Sequence, residues 1–147
     1  MTIAIAILNY NGAKLLEQFL PSVLEHSTNA KVYVIDNGST DNSLEVLATR
    51  FPKVTAIPLH ENAGYAEGYN RGLQEMDAEV VCLLNSDIKV TPHWLLPITA
   101  FLETHPEVAL VQPKIKDLAK PDHFEYAGAA GGYLDIMGLP YCRGRMG

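Results

Sequence analysis

Short apolar runs recur along the chain at residues 3–8, 31–35, 54–59, 79–84 and 108–112, each short enough to be a strand. Between the first four lie stretches whose apolar residues repeat at helical spacing. Over 13–25, Leu15, Leu16, Phe19, Leu20, Val23 and Leu24 share one face, with Pro21 expected to kink the helix or shift its register. Over 41–50, Leu44, Val46 and Leu47 turn inward behind an N-cap at Ser39, Thr40 or Asp41. A shorter, glycine-rich helix is expected over 65–76, and Thr91-Pro92 opens another that runs to about His105. Strand–helix alternation of this kind predicts an α/β fold: a Rossmann-type three-layer sandwich around a mostly parallel sheet. Pro58 moves the third strand toward an edge, whereas Val80, Val81, Cys82, Leu83 and Leu84 read as a buried central strand. Beyond Pro113 the periodicity fades into Gly- and Pro-rich sequence with one or two short strands. The expected division is therefore 1–113 and 114–147.

The polar residues gather where the apolar runs stop. The first run ends in Asn9-Tyr10-Asn11-Gly12, and the second in Asp36-Asn37-Gly38-Ser39-Thr40-Asp41. The third leads into His60-Glu61-Asn62-Ala63-Gly64, and the fourth into Asn85-Ser86-Asp87. In an open parallel sheet these loops converge on one edge, where ligands bind outside the carboxyl ends of the strands. Asp36 has two readings: accepting an N–H from a nucleobase, or closing an Asx-turn or cap inside its own loop. Asp41 reads as a cap. Gly64 begins a helix whose free N–H groups suit phosphate or ribose oxygens. Asp87, an acidic residue after a buried strand, also has two readings: forming a turn before Ile88-Lys89-Val90, or serving a hard cation held by one carboxylate, waters and substrate phosphates.

Composition narrows the classes. A formal net charge of −6 without a Lys/Arg cluster gives no footprint for nucleic acid or an anionic membrane. Two cysteines, Cys82 and Cys142, make no disulfide scaffold, and the five histidines lack zinc-site spacing. The apolar start has no cationic leader, breaks at Asn9 and is too short to cross a membrane, so a cytoplasmic location is the default expectation.

In order and spacing these segments resemble the inverting glycosyltransferase family 2, with its GT-A fold. The likeness rests on residues 7–12, residues 34–41, Asn62-Ala63-Gly64-Tyr65-Ala66 with Asn70-Arg71-Gly72, and residues 83–87. It covers the chain from its first residue to at least Lys114. The Asn-Tyr-Asn-Gly opening and the Asn85-Ser86-Asp87 form of the metal motif are most similar to a rhamnosyltransferase-like branch. The resemblance implies a nucleoside-diphosphate sugar as donor, with Mn²⁺ or Mg²⁺ as cofactor. Asp36 would then read the base, while Asn9, Tyr10, Asn11, Asn62, Gly64, Asn70, Asn85 and Ser86 would line the donor site. Asp87 would ligate the metal, with Asn85 replacing the family's usual first aspartate. It further implies a polysaccharide, sugar or lipid-linked acceptor in cell-envelope synthesis, met at the inner membrane face in a full-length enzyme.

Inverting transfer also needs a general base. The family places it in an acidic pair well after the metal motif, and no such pair is recognisable among Asp117, Asp122, Glu125 and Asp135. The sequence therefore reads as a truncated donor-binding half, with the catalytic residue unknown, inactive alone and prone to self-association. Three other readings compete. A sugar-nucleotide pyrophosphorylase would want a basic glycine-rich loop after the first strand. A receiver-like signalling module would want acidic residues where Asn9 and Asn11 stand. A module that binds nucleotide without catalysis would need neither.

Overall fold

A computed structural model describes residues 1–124, 132–134, 136–137 and 140–142. The chain divides into two compact units, Met1–Leu96 and Pro97–Gly147. In the first, β1 (Ile3–Asn9), β2 (Lys31–Asp36), β3 (Thr55–Pro58) and β4 (Val80–Asn85) form one sheet in the order β3-β2-β1-β4. Every neighbouring pair is parallel, with Leu8 opposite Ile35 and Asn85. The helices α1 (Ala13–His26), α2 (Ser43–Arg50) and α3 (Tyr65–Leu73) connect them. This is the α/β parallel-sheet architecture expected from the alternating pattern.

Strand periodicity decides what each face of the sheet touches. Ile5 and Ile7 of β1 pack with Val32 and Val34 of β2 against Leu16, Leu20 and Val23 of α1 and Val46 and Leu47 of α2. Ala6 and Ile35 face the other way, toward Tyr69 of α3. There the approach is close because the residues are small. A β-carbon added to Gly72 would lie 2.2 Å from Ile35 Cδ1, and one added to Gly68 would lie 2.9 Å from Leu8 Cδ1. Helices α1 and α2 thus cover one face and α3 the other, giving three layers.

Several local expectations change. Pro21 lies inside α1 on its exposed side, where its missing N–H is tolerated within one continuous helix. Leu15 and Leu44 are 37% and 40% exposed, because each sits at the margin of its helix's apolar stripe rather than at its centre. Helix α2 begins at Ser43 instead of Asp41, and α3 ends at Leu73, followed by a turn. Strand β3 is an edge, as Pro58 suggests, but β4 is an edge too among the described residues. Val81 and Leu83 of β4 are 37% and 54% exposed, since only β1 pairs with it.

In the second unit, residues 108–112 form no strand, and Leu110 is 91% exposed. That apolar run has no described strand to pair with. Helix α4 (Leu95–Thr104) bridges the two units in sequence and starts later than Thr91-Pro92 suggests. Tight turns from Thr91 to Trp94 and from His93 to Leu96 precede it. Two short antiparallel strands, β5 (Gly132–Leu134) and β6 (Pro140–Cys142), follow in the Gly-rich region. Among the described residues no helix is long and apolar enough to cross a membrane.

Candidate functional site

Strand order reverses at β1. The chain steps from β1 outward to β2 and β3, then returns to place β4 on the opposite side of β1. Such a switch point opens a crevice at the carboxyl ends of the strands, because the connections leave in opposite directions. Asn9, Asp36 and Asn85 terminate β1, β2 and β4 there.

The β1 and β2 ends form one hydrogen-bonded block. Asp36 is 1% exposed, and its carboxylate is engaged within the protein. One oxygen accepts the Ser39 N–H at 3.0 Å and the other accepts Asn9 Nδ2 at 2.9 Å. Ser39 Oγ accepts the Asn11 N–H at 2.9 Å, and Asn11 Oδ1 accepts the N–H groups of Thr40 and Asp41 at 2.7 and 3.2 Å. Asn11 holds this pose with φ 51°, in the left-handed region that asparagine tolerates.

Asn9 is also 1% exposed, and its Oδ1 is buried without a partner. Reversing the amide would bring that oxygen against the Asp36 carboxylate, so the orientation is set by charge. A β-carbon on residue 12 would lie 2.4 Å from Asn9 Oδ1, which is why glycine stands there.

Asp41 ties two helices to this block. Its Oδ1 accepts the Ser43 N–H and hydroxyl, and its Oδ2 accepts the Ala13 N–H at 3.1 Å, the first donor of α1. Burial pushes this carboxyl up, but the Ser43 hydroxyl and the Ala13 and Ser43 N–H groups outweigh it and hold the pKa below its ordinary value. The capping role is legible in the sequence; its reach to α1 is not.

Asn37, which the strand-end pattern does not single out, fastens the β2 end to the loop before α3. Its Nδ2 donates to Asn62 Oδ1 and to the Gly64 carbonyl, both at 3.0 Å, while its Oδ1 accepts the Ala63 N–H at 3.0 Å. Asn62 Oδ1 also accepts the Gly64 N–H at 2.9 Å. Gly38 passes beneath with φ 72°, and a β-carbon on it would lie 2.5 Å from the Glu61 carbonyl carbon. The available signal is an Asn-Gly step opposite an Asn-x-Gly loop. Asn37 is 3% exposed, so its role is to shape the crevice wall.

The β4 end differs. Asn85 and Asp87 are exposed and Ser86 half-buried. Two tyrosines of α3, neither expected as a site residue, pin this end. The Tyr69 hydroxyl donates to the Leu84 carbonyl at 3.2 Å, and the Tyr65 hydroxyl donates to Asn85 Oδ1 at 3.3 Å. Burial pushes the Tyr69 phenol far above its ordinary value, so it stays a donor. Tyr65 and Tyr10, at 64% and 50% exposed, put two aromatic rings on the solvent side of the strand ends.

Asn70 lies on the exposed side of α3, while Arg71 beside it is held by Glu67 at 2.8 Å and Glu61 at 3.7 Å. Among the described residues no group of three or more His, Cys, Asp or Glu could hold an ion by itself. The Asp87 carboxylate makes no described hydrogen bond or ion pair, so one charged ligand is free for a cation that takes its other ligands from water and phosphate.

Other candidates carry less. Burial pushes the Cys82 thiol up to about 11, so it remains protonated near neutrality. Asp117 Oδ1 accepts the N–H groups of Ala119 and Lys120 in a local turn, and Glu125 and Asp135 lie outside the described residues. A groove of about 570 Å³ runs along β3, lined in part by Thr55, Ile57, His60, Arg71 and Gln74. Of the strand-end loops only His60 reaches it, none of the expected donor-site residues lines it, and its one arginine is already paired, so the crevice at the switch point is the better site.

Comparison with known proteins identifies the family. An uncharacterized glycosyltransferase of Nostoc sp. is 31% identical over 115 residues, 76% of this chain and 36% of that protein. The N-acetylglucosaminyl-diphospho-decaprenol L-rhamnosyltransferase of Mycobacterium tuberculosis is 27% identical over 85% of this chain and 44% of its own. The chain thus spans less than half the length of these relatives. Among solved structures, Staphylococcus aureus TarS 1-349 in complex with UDP-GlcNAc superposes with a TM-score of 0.64 at 22% identity, covering 80% of this chain and 39% of that one. The mannosyltransferase PcManGT of Pyrobaculum calidifontis, in complex with GDP-Man and Mn²⁺, gives 0.61 at 22%, covering 76% and 33%. At that identity the two structures speak for the fold. The family model for glycosyl transferase family 2 matches residues 4–134, and the chain belongs to that family.

Proposed function

We propose that this chain is the donor-binding part of an inverting glycosyltransferase, taking a nucleoside-diphosphate sugar together with one divalent cation. The observation that carries the reading is the contrast at the switch point: Asn9 and Asp36 are locked into a scaffold, while Asp87 is exposed and has no partner among the described residues. The nucleoside would meet Tyr10, Asn11, Asn62 and Gly64, with Asn70, Asn85 and Ser86 toward the diphosphate. Asp36, buried and bonded on both oxygens, supports that surface in the free chain. Its contact with a base would require the Ser39 loop to open.

Asp87 would hold Mn²⁺ or Mg²⁺, which when bound neutralises the leaving diphosphate. This chain's own residues bind the nucleotide, orient its phosphates and keep the loops in register. The mycobacterial relative is named for a lipid-linked sugar, N-acetylglucosaminyl-diphospho-decaprenol, which supports a sugar or lipid-linked acceptor here. The general base is unassigned: Asp117 is engaged in its own turn, and Glu125 and Asp135 lie outside the described residues.

Calorimetric titration of UDP, dTDP, GDP and ATP, with and without Mn²⁺, tests this reading. Metal-dependent binding of at least one nucleoside diphosphate is expected. Equal affinity without metal, or binding of none of the four, would overturn it.

A further inference from the structure

We propose that Tyr65 is a positioning residue: its hydroxyl fixes the Asn85 side-chain amide so that the NH₂ group faces the bound nucleotide. Asn85 then acts as a hydrogen-bond donor to the ligand and leaves the cation to Asp87. The proposal deepens the donor-binding reading and rests on it.

The geometry begins on α3. Tyr65 and Tyr69 are one helical turn apart and pack edge to face, with ring centroids 5.1 Å apart and planes at 72°. Tyr69 is buried and anchored to the Leu84 carbonyl. Tyr65 is thereby held over the next residue of β4, where its hydroxyl donates to Asn85 Oδ1 at 3.3 Å. That bond occupies one of the two lone pairs on the amide oxygen and sets that end of the amide toward Tyr65. Asn85 is exposed, and its Nδ2 donates to no described residue.

An amide pinned this way turns its positive end outward. It suits a phosphate or ribose oxygen, and with one carbonyl lone pair already engaged and no charge it is a weaker cation ligand than the Asp87 carboxylate. The exchange of a carboxylate for an amide at position 85 therefore divides the labour: a neutral donor at Asn85 and a charged metal ligand at Asp87. A phenol at position 65 gives that amide a fixed direction, which phenylalanine would not.

Two measurements on the whole chain test this. The first needs no ligand: side-chain ¹³C and ¹⁵N resonances of Asn85 in the wild type and in Tyr65→Phe. The substitution keeps the ring against Tyr69 and removes only the donor. The expected result is a shift of Asn85 Cγ, with its Nδ2 protons exchanging with water equally fast in both proteins. A protected Nδ2 proton in the wild type that becomes exposed in Tyr65→Phe would show the amide reversed. No response at either atom would show that the bond does not form. Either outcome overturns the proposal.

The second is titration of UDP with Mn²⁺. Tyr65→Phe is expected to weaken UDP about 3- to 10-fold, the span of one hydrogen bond, without changing the dependence on Mn²⁺ concentration or the unfolding midpoint. The loss should vanish when Asn85 is already alanine, because the two residues act as a unit. A loss that persists in Asn85→Ala would mean that Tyr65 contacts the nucleotide directly, and the positioning role would fall. If the wild type binds no nucleoside diphosphate at all, the functional reading fails, while the resonances still decide which way the amide faces.

Discussion

Asp36 and Asp87 stand at the ends of two strands that flank β1, and the protein treats them in opposite ways. Asp36 is 1% exposed, accepts from Ser39 and Asn9, and sits in a block that continues through Asn11 to Thr40 and Asp41. Asp87 is exposed, and its carboxylate has no described partner. The strands differ in burial as well: β2 is buried from Val32 to Asp36, whereas β4 alternates between half-buried and exposed as far as Leu83 and buries only Leu84. A carboxylate beside a covered strand must be satisfied by its own protein, since an unpaired buried charge costs several kcal/mol. A carboxylate beyond a half-covered strand can wait in water for a ligand. One end of the crevice is scaffold and the other is reagent.

The sharpest way to break this contrast is at Gly38. Alanine there would need φ near 72° and would press into the backbone of Glu61 and Asn62. A loss of about 2–4 kcal/mol in urea denaturation is expected. A loss below about 0.5 kcal/mol would show the β2 loop to be more pliable than its bonds suggest.

Asp36→Ala comes next. It strands the Ser39 N–H and one bond of the Asn9 amide, for an expected loss of about 2 kcal/mol. Stability equal to wild type would mean that the block is not held together by that carboxylate.

A smaller effect is expected from pH. Asp41 titrates below its ordinary value of 3.8 when folded, so its contribution is complete above that value and fades as pH falls through the lower, folded one. Urea midpoints should therefore drop as pH falls from about 4 toward 2, and drop less in Asp41→Asn, whose side chain does not titrate. Identical pH profiles would remove Asp41 as the titrating cap. Smallest of all is Asp87→Ala, expected within about 0.5 kcal/mol of wild type in the same assay. A larger change would reveal a structural partner and erase the contrast.

Much of this was legible before the structure. The four strands and the first three helices follow from apolar periodicity, which reports burial directly. Pro58 marks an edge because it lacks an N–H to donate. Residues 108–112 misled because apolarity does not reveal whether a partner strand exists. The same is true of β4, whose apolar Val81 and Leu83 remain exposed among the described residues. At the site, the strand-end loops were visible as clusters of Asn, Asp and Gly. What each carboxylate does was not, because Asx-turn and ligand-binding aspartates occupy the same kind of loop. The roles of Asn37, Tyr65 and Tyr69 are not legible in the sequence for a related reason. Their partners, Asn62 and Gly64, Asn85, and the Leu84 carbonyl, lie 15 to 27 residues away, and only the packing of α3 on the sheet brings them together.

The most direct test is the Mn²⁺ dependence of nucleoside-diphosphate binding in Asp87→Asn, measured by calorimetry beside the wild type. This variant keeps the size of the side chain and removes its charge. The expected result is wild-type stability with the metal-dependent part of the affinity gone. Undiminished, Mn²⁺-dependent binding in Asp87→Asn would contradict the assignment of Asp87 as the crevice's open ligand.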